Sequence, residues 1–169
     1  MEDKSLSVRL VTALREHSLK IASAESCTGG LIAKLITDAP GSSAVFDMGV
    51  VTYSNEMKTK LVGVPAELLE QVGAVSPQTA KAMAEGVRKA AGADIGVATT
   101  GIAGPDGGTP EKPVGLVYIA LADRNGVRVD RLLIDAPGAD RDFIRHTAAQ
   151  TVLGNVLRYL EDGNCFMQS

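Results

Sequence analysis

Leu6, Leu10, Ala13 and Leu14 recur at helical intervals, with Val8 and Val11 beside them, and predict an amphipathic first helix. Residues 20–24 then read as a short strand. After Glu25-Ser26-Cys27-Thr28-Gly29-Gly30 the helical spacing resumes at Leu31, Ile32, Leu35 and Ile36, so a strand runs through a tight loop into a helix. Turn residues at 38–43 end that helix. Residues 49–53 are β-rich, and Ser54-Asn55-Glu56 offers an N-cap for a short helix through Leu61. Another short helix is expected at 65–71, with Pro65 at its start. Ser76-Pro77-Gln78 opens a longer one, reaching about Ala91 and ended by Gly92. Strand patterns return at 94–100, 114–122 and 127–134, and Arg124-Asn125-Gly126 is a hairpin signal between the last two. Residues 101–113 form a Gly/Pro-rich loop, 140–160 a long final helix, and 163–169 a flexible tail.

Strands alternate with helices in the first two thirds, and a hairpin follows. This order predicts an α/β fold, a three-layer α/β/α sandwich around a mixed, mainly parallel sheet. No linker or internal repeat divides the chain, so residues 1–162 are expected to form one domain. A length of 169 residues suits that, and 45% apolar residues exclude a disordered composition. The net charge of -3, with three Tyr and three Phe, supplies neither a basic field nor stacking platforms for nucleic acid. No apolar run reaches membrane-spanning length. Met1-Glu2-Asp3-Lys4 lacks an apolar signal core, and the two cysteines, Cys27 and Cys165, make no disulfide framework. A reducing cytoplasm is the expected compartment.

Three segments could carry chemistry. Glu25–Gly30 sits where a strand ends and a helix begins, and helix N-termini present free N–H groups to a phosphate or an oxyanion. The plainer reading is that Ser26 or Thr28 merely caps the helix. Tyr53 ends a strand and Lys58 lies just inside the next helix, so both could face one crevice. A desolvated lysine can serve as a base, whereas a solvated one is only surface. The run from Thr99 and Thr100 to Pro110 follows an apolar strand, at the sheet edge where α/β proteins bind ligands. Its alternative is a plain connector. His17 and His146 are far apart and make no metal pattern, and Asp38, Asp47, Asp106 and Asp135 are scattered through turns. Arg141 and Arg145, one turn apart, could reach a phosphate or carboxylate.

Taken in order, Ala24-Glu25-Ser26-Cys27-Thr28-Gly29-Gly30, Tyr53-Ser54-Asn55-Glu56-x-Lys58, Val75-Ser76, Thr99-Thr100-Gly101-Ile102-Ala103-Gly104-Pro105 and Lys112-Pro113-Val114-Gly115 resemble the C-terminal domain of the competence/damage-inducible CinA family. Free-standing members of that family are nicotinamide-nucleotide amidohydrolases of NAD salvage. The resemblance runs from about Leu6 to Leu160. It implies hydrolysis of the carboxamide of nicotinamide mononucleotide to nicotinate mononucleotide and ammonia, without metal or cofactor. It further implies Ser26 as nucleophile and Lys58 and Tyr53 as its activators. Thr28, Gly29, Gly30, Thr100, Gly101, Gly104 and Arg141 would bind the substrate, with Arg145 an alternative to Arg141. The oxyanion would be held by N–H groups at the start of the following helix. Two other readings stand beside this one: a non-catalytic nucleotide-binding or regulatory module, and an amidase that uses Cys27. The expected partner is a small molecule, neither nucleic acid nor membrane, with homo-oligomerisation an open alternative.

Overall fold

A computed structural model describes residues 2–163, with side chains from Leu6 onward. The expected tail therefore lies outside the described residues, apart from Gly163. The elements run α1 (Glu2–Glu16), β1 (Ile21–Glu25), α2 (Leu31–Thr37), a 3-10 turn (Ser42–Ala44), β2 (Phe46–Val51), α3 (Asn55–Val62), α4 (Ala66–Val72), α5 (Pro77–Ala91), β3 (Ile95–Gly101), β4 (Leu116–Ala122), β5 (Val127–Leu133) and α6 (Arg141–Glu161).

The five strands form one sheet in the order β2-β1-β3-β4-β5. β1 pairs in parallel with β2 and β3, whereas β4 is antiparallel to both β3 and β5. Every strand except β4 therefore points the same way, and the sheet is mixed with a mainly parallel sense. β2 begins earlier than its β-rich core suggested, at Phe46, and ends at Val51, because its alternating half-buried pattern suits an edge strand. β4 begins only at Leu116, since the preceding loop continues through a turn at Gly115.

The two faces of the sheet differ in side-chain size. One presents Ile21, Ile95, Val97, Val117, Ile119 and Leu121 to α1, α2 and α6. The other presents Ala22, Ala24, Ala98, Ala120 and Ala122 to α3, α4 and α5. Small residues let α5 lie almost on the strands. A Cβ added at Gly96 of β3 would fall 2.2 Å from the Ala84 carbonyl oxygen of α5, and, where α5 meets α3, one at Gly86 would fall 1.8 Å from that of Val62. Glycine is the residue that permits such close approach.

Caps fix where the helices start. Ser54 Oγ accepts from Met57 N at the head of α3, Ser76 Oγ from Thr79 N at α5, and Asp140 Oδ1 from Phe143 N at α6. α2 departs from this rule, because Gly30 occupies its N-cap position and has no side chain to offer.

Candidate active site

The carboxyl ends of β1, β2 and β3 lie side by side, and a pocket of about 280 Å³ opens there. Its wall takes Ser26 and Cys27 from the loop after β1, Tyr53 and Lys58 from the β2–α3 corner, and Thr100, Gly101 and Gly104 from the end of β3 and the loop beyond. Ala74, Val75, Ile102, Ala103, Asp106, Gly107 and Arg141 complete it.

Among the described residues Lys58 is the largest fully buried side chain, 1% exposed, on a helix whose other charged residues, Glu56 and Lys60, are not buried. It turns away from solvent toward β1. Its Nζ lies 3.1 Å from Ser26 Oγ, 2.8 Å from the Thr52 carbonyl oxygen and 3.3 Å from that of Tyr53. Among the described residues it forms no ion pair. Burial therefore acts against the charged form and lowers its pKa from the ordinary 10.5. The partner set has a chemical consequence. The two carbonyls can only accept, so a neutral amine gives them its two N–H groups and keeps its lone pair for the Ser26 hydroxyl.

Glu25 is equally buried but faces the other way. Its carboxylate accepts from Thr28 Oγ1 at 2.7 Å, Ile32 N at 2.8 Å and Ala33 N at 3.2 Å. It fills the cap that Gly30 cannot supply, so neither Ser26 nor Thr28 caps α2. This corrects the expected source of oxyanion donors: the helix N–H groups that could have served are taken by a carboxylate. Donors remain one step earlier. Among the described residues the N–H groups of Cys27 and Thr28 donate to no other residue.

The other expected site residues divide. Thr100 lines the pocket, its Oγ1 donating to the Ala74 carbonyl at 2.7 Å, and Gly101 and Gly104 line it too. Thr28, Gly29 and Gly30 stand behind the wall. Thr28 is wholly buried, with Oγ1 between Glu25 and Thr99, and these three residues shape the loop instead of facing the cavity. Tyr53 is 61% exposed at the rim, and its hydroxyl accepts from Arg141 Nη2 at 3.1 Å, so its tip lies on the arginine. Arg141 Nη1 also donates to the Gly104 carbonyl at 2.7 Å, bridging two walls of the pocket. Arg145 lies off the pocket. Cys27 lines it, but burial pushes its thiol up to about 11, which disfavours the thiolate that nucleophilic attack needs.

Sequence reasoning placed Asp106 in the candidate loop without giving it a role of its own, and it missed Glu25 as the cap. Gly30 at an N-cap position was the signal that some other side chain must cap α2. Among the described residues no group of three or more His, Cys, Asp or Glu is placed to hold a metal ion, and no helix is long and apolar enough to cross a membrane.

Fold and pocket together define an α/β protein with a buried serine–lysine pair at the carboxyl edge of its sheet. The chain belongs to the CinA C-terminal domain family, whose sequence model matches residues 3–160. Among its relatives, a CinA-like protein of Citrifermentans bemidjiense is 55% identical over 152 residues, covering 90% of this chain and 36% of that protein. One from Geobacter sulfurreducens is 52% identical over 158 residues, covering 94% and 38%. The chain thus spans little more than a third of these curated relatives. Solved structures match along most of their length. The competence/damage inducible protein CihA from Agrobacterium tumefaciens has a TM-score of 0.89 at 44% identity, covering 95% of this chain and 96% of that one. A CinA superfamily protein from Klebsiella pneumoniae has a TM-score of 0.90 at 31% identity, covering 96% and 99%.

Proposed function

We propose that this chain hydrolyses the carboxamide of nicotinamide mononucleotide, with Ser26 as nucleophile and Lys58 as its base. The observation that carries the reading is the 3.1 Å approach of a buried lysine to a serine on a pocket wall. An amide is a poor electrophile, so a serine hydroxyl needs a base poised beside it. Neutral Lys58 takes the proton as Ser26 Oγ bonds to the carboxamide carbon. The Cys27 N–H, next after the nucleophile, faces the oxygen that becomes negative. Lys58 returns the proton to the nitrogen as the C–N bond breaks, and ammonia leaves. Water, losing its proton to Lys58, then attacks the acyl group, and nicotinate mononucleotide departs as Ser26 regains its hydrogen.

The rim suits a substrate with charge at both ends. Arg141 is exposed at one side for the phosphate, and the Asp106 carboxylate is available to a cationic pyridinium ring. Tyr53 acts by orienting Arg141 as well as through its backbone carbonyl on Lys58. Ammonia release from nicotinamide mononucleotide tests the reading, with Ser26→Ala inactive and Cys27→Ala active. No release by the folded wild-type chain would leave a binding module in its place.

A further inference from the structure

Arg145 lies one turn into α6, half-buried. Its Nε donates to the Cys27 carbonyl at 3.0 Å and its Nη2 to the Thr28 carbonyl at 3.1 Å. A single guanidinium, brought from the far end of the chain, grips two successive peptides directly after the nucleophile. Gly29 leaves the space for it: a Cβ there would lie 3.0 Å from Nη2, and its φ of +56° is left-handed.

The grip has a directional consequence. In a planar trans peptide the carbonyl and the next N–H point opposite ways. Holding the Cys27 carbonyl turns the Thr28 N–H away from Arg145. Holding the Thr28 carbonyl likewise aims the Gly29 N–H, which donates to the Ser26 carbonyl at 3.0 Å. That bond in turn fixes the Ser26–Cys27 peptide and the direction of the Cys27 N–H. Three consecutive peptide planes are therefore set by one side chain, and of their N–H groups those of Cys27 and Thr28 donate to no other described residue.

We propose that Arg145 is a positioning residue that, through these peptides, holds the Cys27 N–H, the backbone donor on the pocket wall, in the orientation that receives the oxyanion. The inference rests on Ser26 being the nucleophile. It assigns Arg145 to transition-state geometry and leaves substrate anchoring to Arg141. A lysine cannot replace it, because one ammonium lacks the planar fork that spans two carbonyls.

The test uses the whole chain and a small alkyl fluorophosphonate, whose phosphoryl oxygen takes the place of the oxyanion. Ser26 Oγ bonds to phosphorus, the P–F bond breaks, fluoride leaves with the electron pair, and the serine proton passes to Lys58. Intact mass follows the rate. Wild type should gain one label and Ser26→Ala none. Arg145→Ala and Arg145→Lys should label roughly 10²-fold more slowly, the scale for losing an oxyanion donor. Millimolar guanidinium should restore part of the Arg145→Ala rate, and deamidation should lose kcat at near-constant KM. Should Arg145→Ala fail to fold, Arg145→Lys, which keeps the charge and most of the stem, carries the test. Labelling of Arg145→Lys at the wild-type rate, or a rise in KM at unchanged kcat, overturns the assignment. An unlabelled wild-type Ser26 sinks the nucleophile reading itself, which is a different result from either of these.

Discussion

The junction after β1 and the junction after β2 each bury an ionisable side chain, Glu25 and Lys58, both at 1% exposure. They spend that burial differently. Glu25 turns back onto its own helix, where Thr28 Oγ1, Ile32 N and Ala33 N meet the carboxylate. The positive end of α2 compensates its charge, so it is an architectural ion. Lys58 turns off its helix and crosses to the neighbouring junction, where it meets two neutral carbonyls and a hydroxyl. Nothing there compensates a full charge, and the proton is held more weakly. A buried charge becomes useful in catalysis when its neighbours orient it without neutralising it.

The largest expected effect separates the junctions by activity. Lys58→Met should lower kcat by roughly 10²–10⁴-fold, the range for general-base assistance, with little change in KM, as measured by ammonia release. Glu25→Gln comes next and should act on stability. Glutamine keeps one acceptor oxygen, but its amide nitrogen faces a helix N–H and leaves that donor unpaired, at about 1–3 kcal/mol in a urea melt. If Glu25→Gln kept its stability yet lost as much kcat as Lys58→Met, the division between the junctions would be wrong. Arg141→Ala should raise KM about tenfold at nearly unchanged kcat, since it removes a charged hydrogen bond at the rim.

The smallest effect is a pH gradient. Lys58 has a lower pKa folded than the ordinary 10.5 it takes when unfolded. Between those two values the unfolded chain binds more protons, so stability rises with pH. Below the folded value the cost of burying the charge is fully present. Wild type should therefore gain on Lys58→Met as pH climbs toward 10.5, read as the difference between their melting temperatures. A difference that stays flat or runs the other way would mean that burial does not bias the lysine.

The elements were legible because their signals are local. Pro77 after Ser76, Gly92 after Ala91 and Asp140 before Arg141 each mark a helix end within a few residues. The motif around Ser26 and Lys58 also pointed to residues that line one pocket. Its internal wiring was not legible, because partners 32 residues apart, such as Lys58 and Ser26, or 118 apart, such as Arg145 and Cys27, meet only through the strand order. The glycines after Ser26 illustrate this. In sequence Gly29 and Gly30 read as a ligand cradle. In the fold one admits an arginine and the other vacates a cap for Glu25.

Because β4 runs against β3, its first residues lie beside the pocket and its last, with the turn that follows, lie at the opposite end of the sheet. Asp123 Oδ1 accepts from Asn125 N and Gly126 N, and Asp123 Oδ2 from the Tyr159 hydroxyl, so the turn is closed by its own residues and tied to α6. Lengthening a surface loop costs only about 0.6 kcal/mol per doubling. Between Arg124 and Asn125 the chain thus offers a docking port for foreign sequence, where a fluorescent reporter or affinity tag can enter the polypeptide a full strand's length from Ser26.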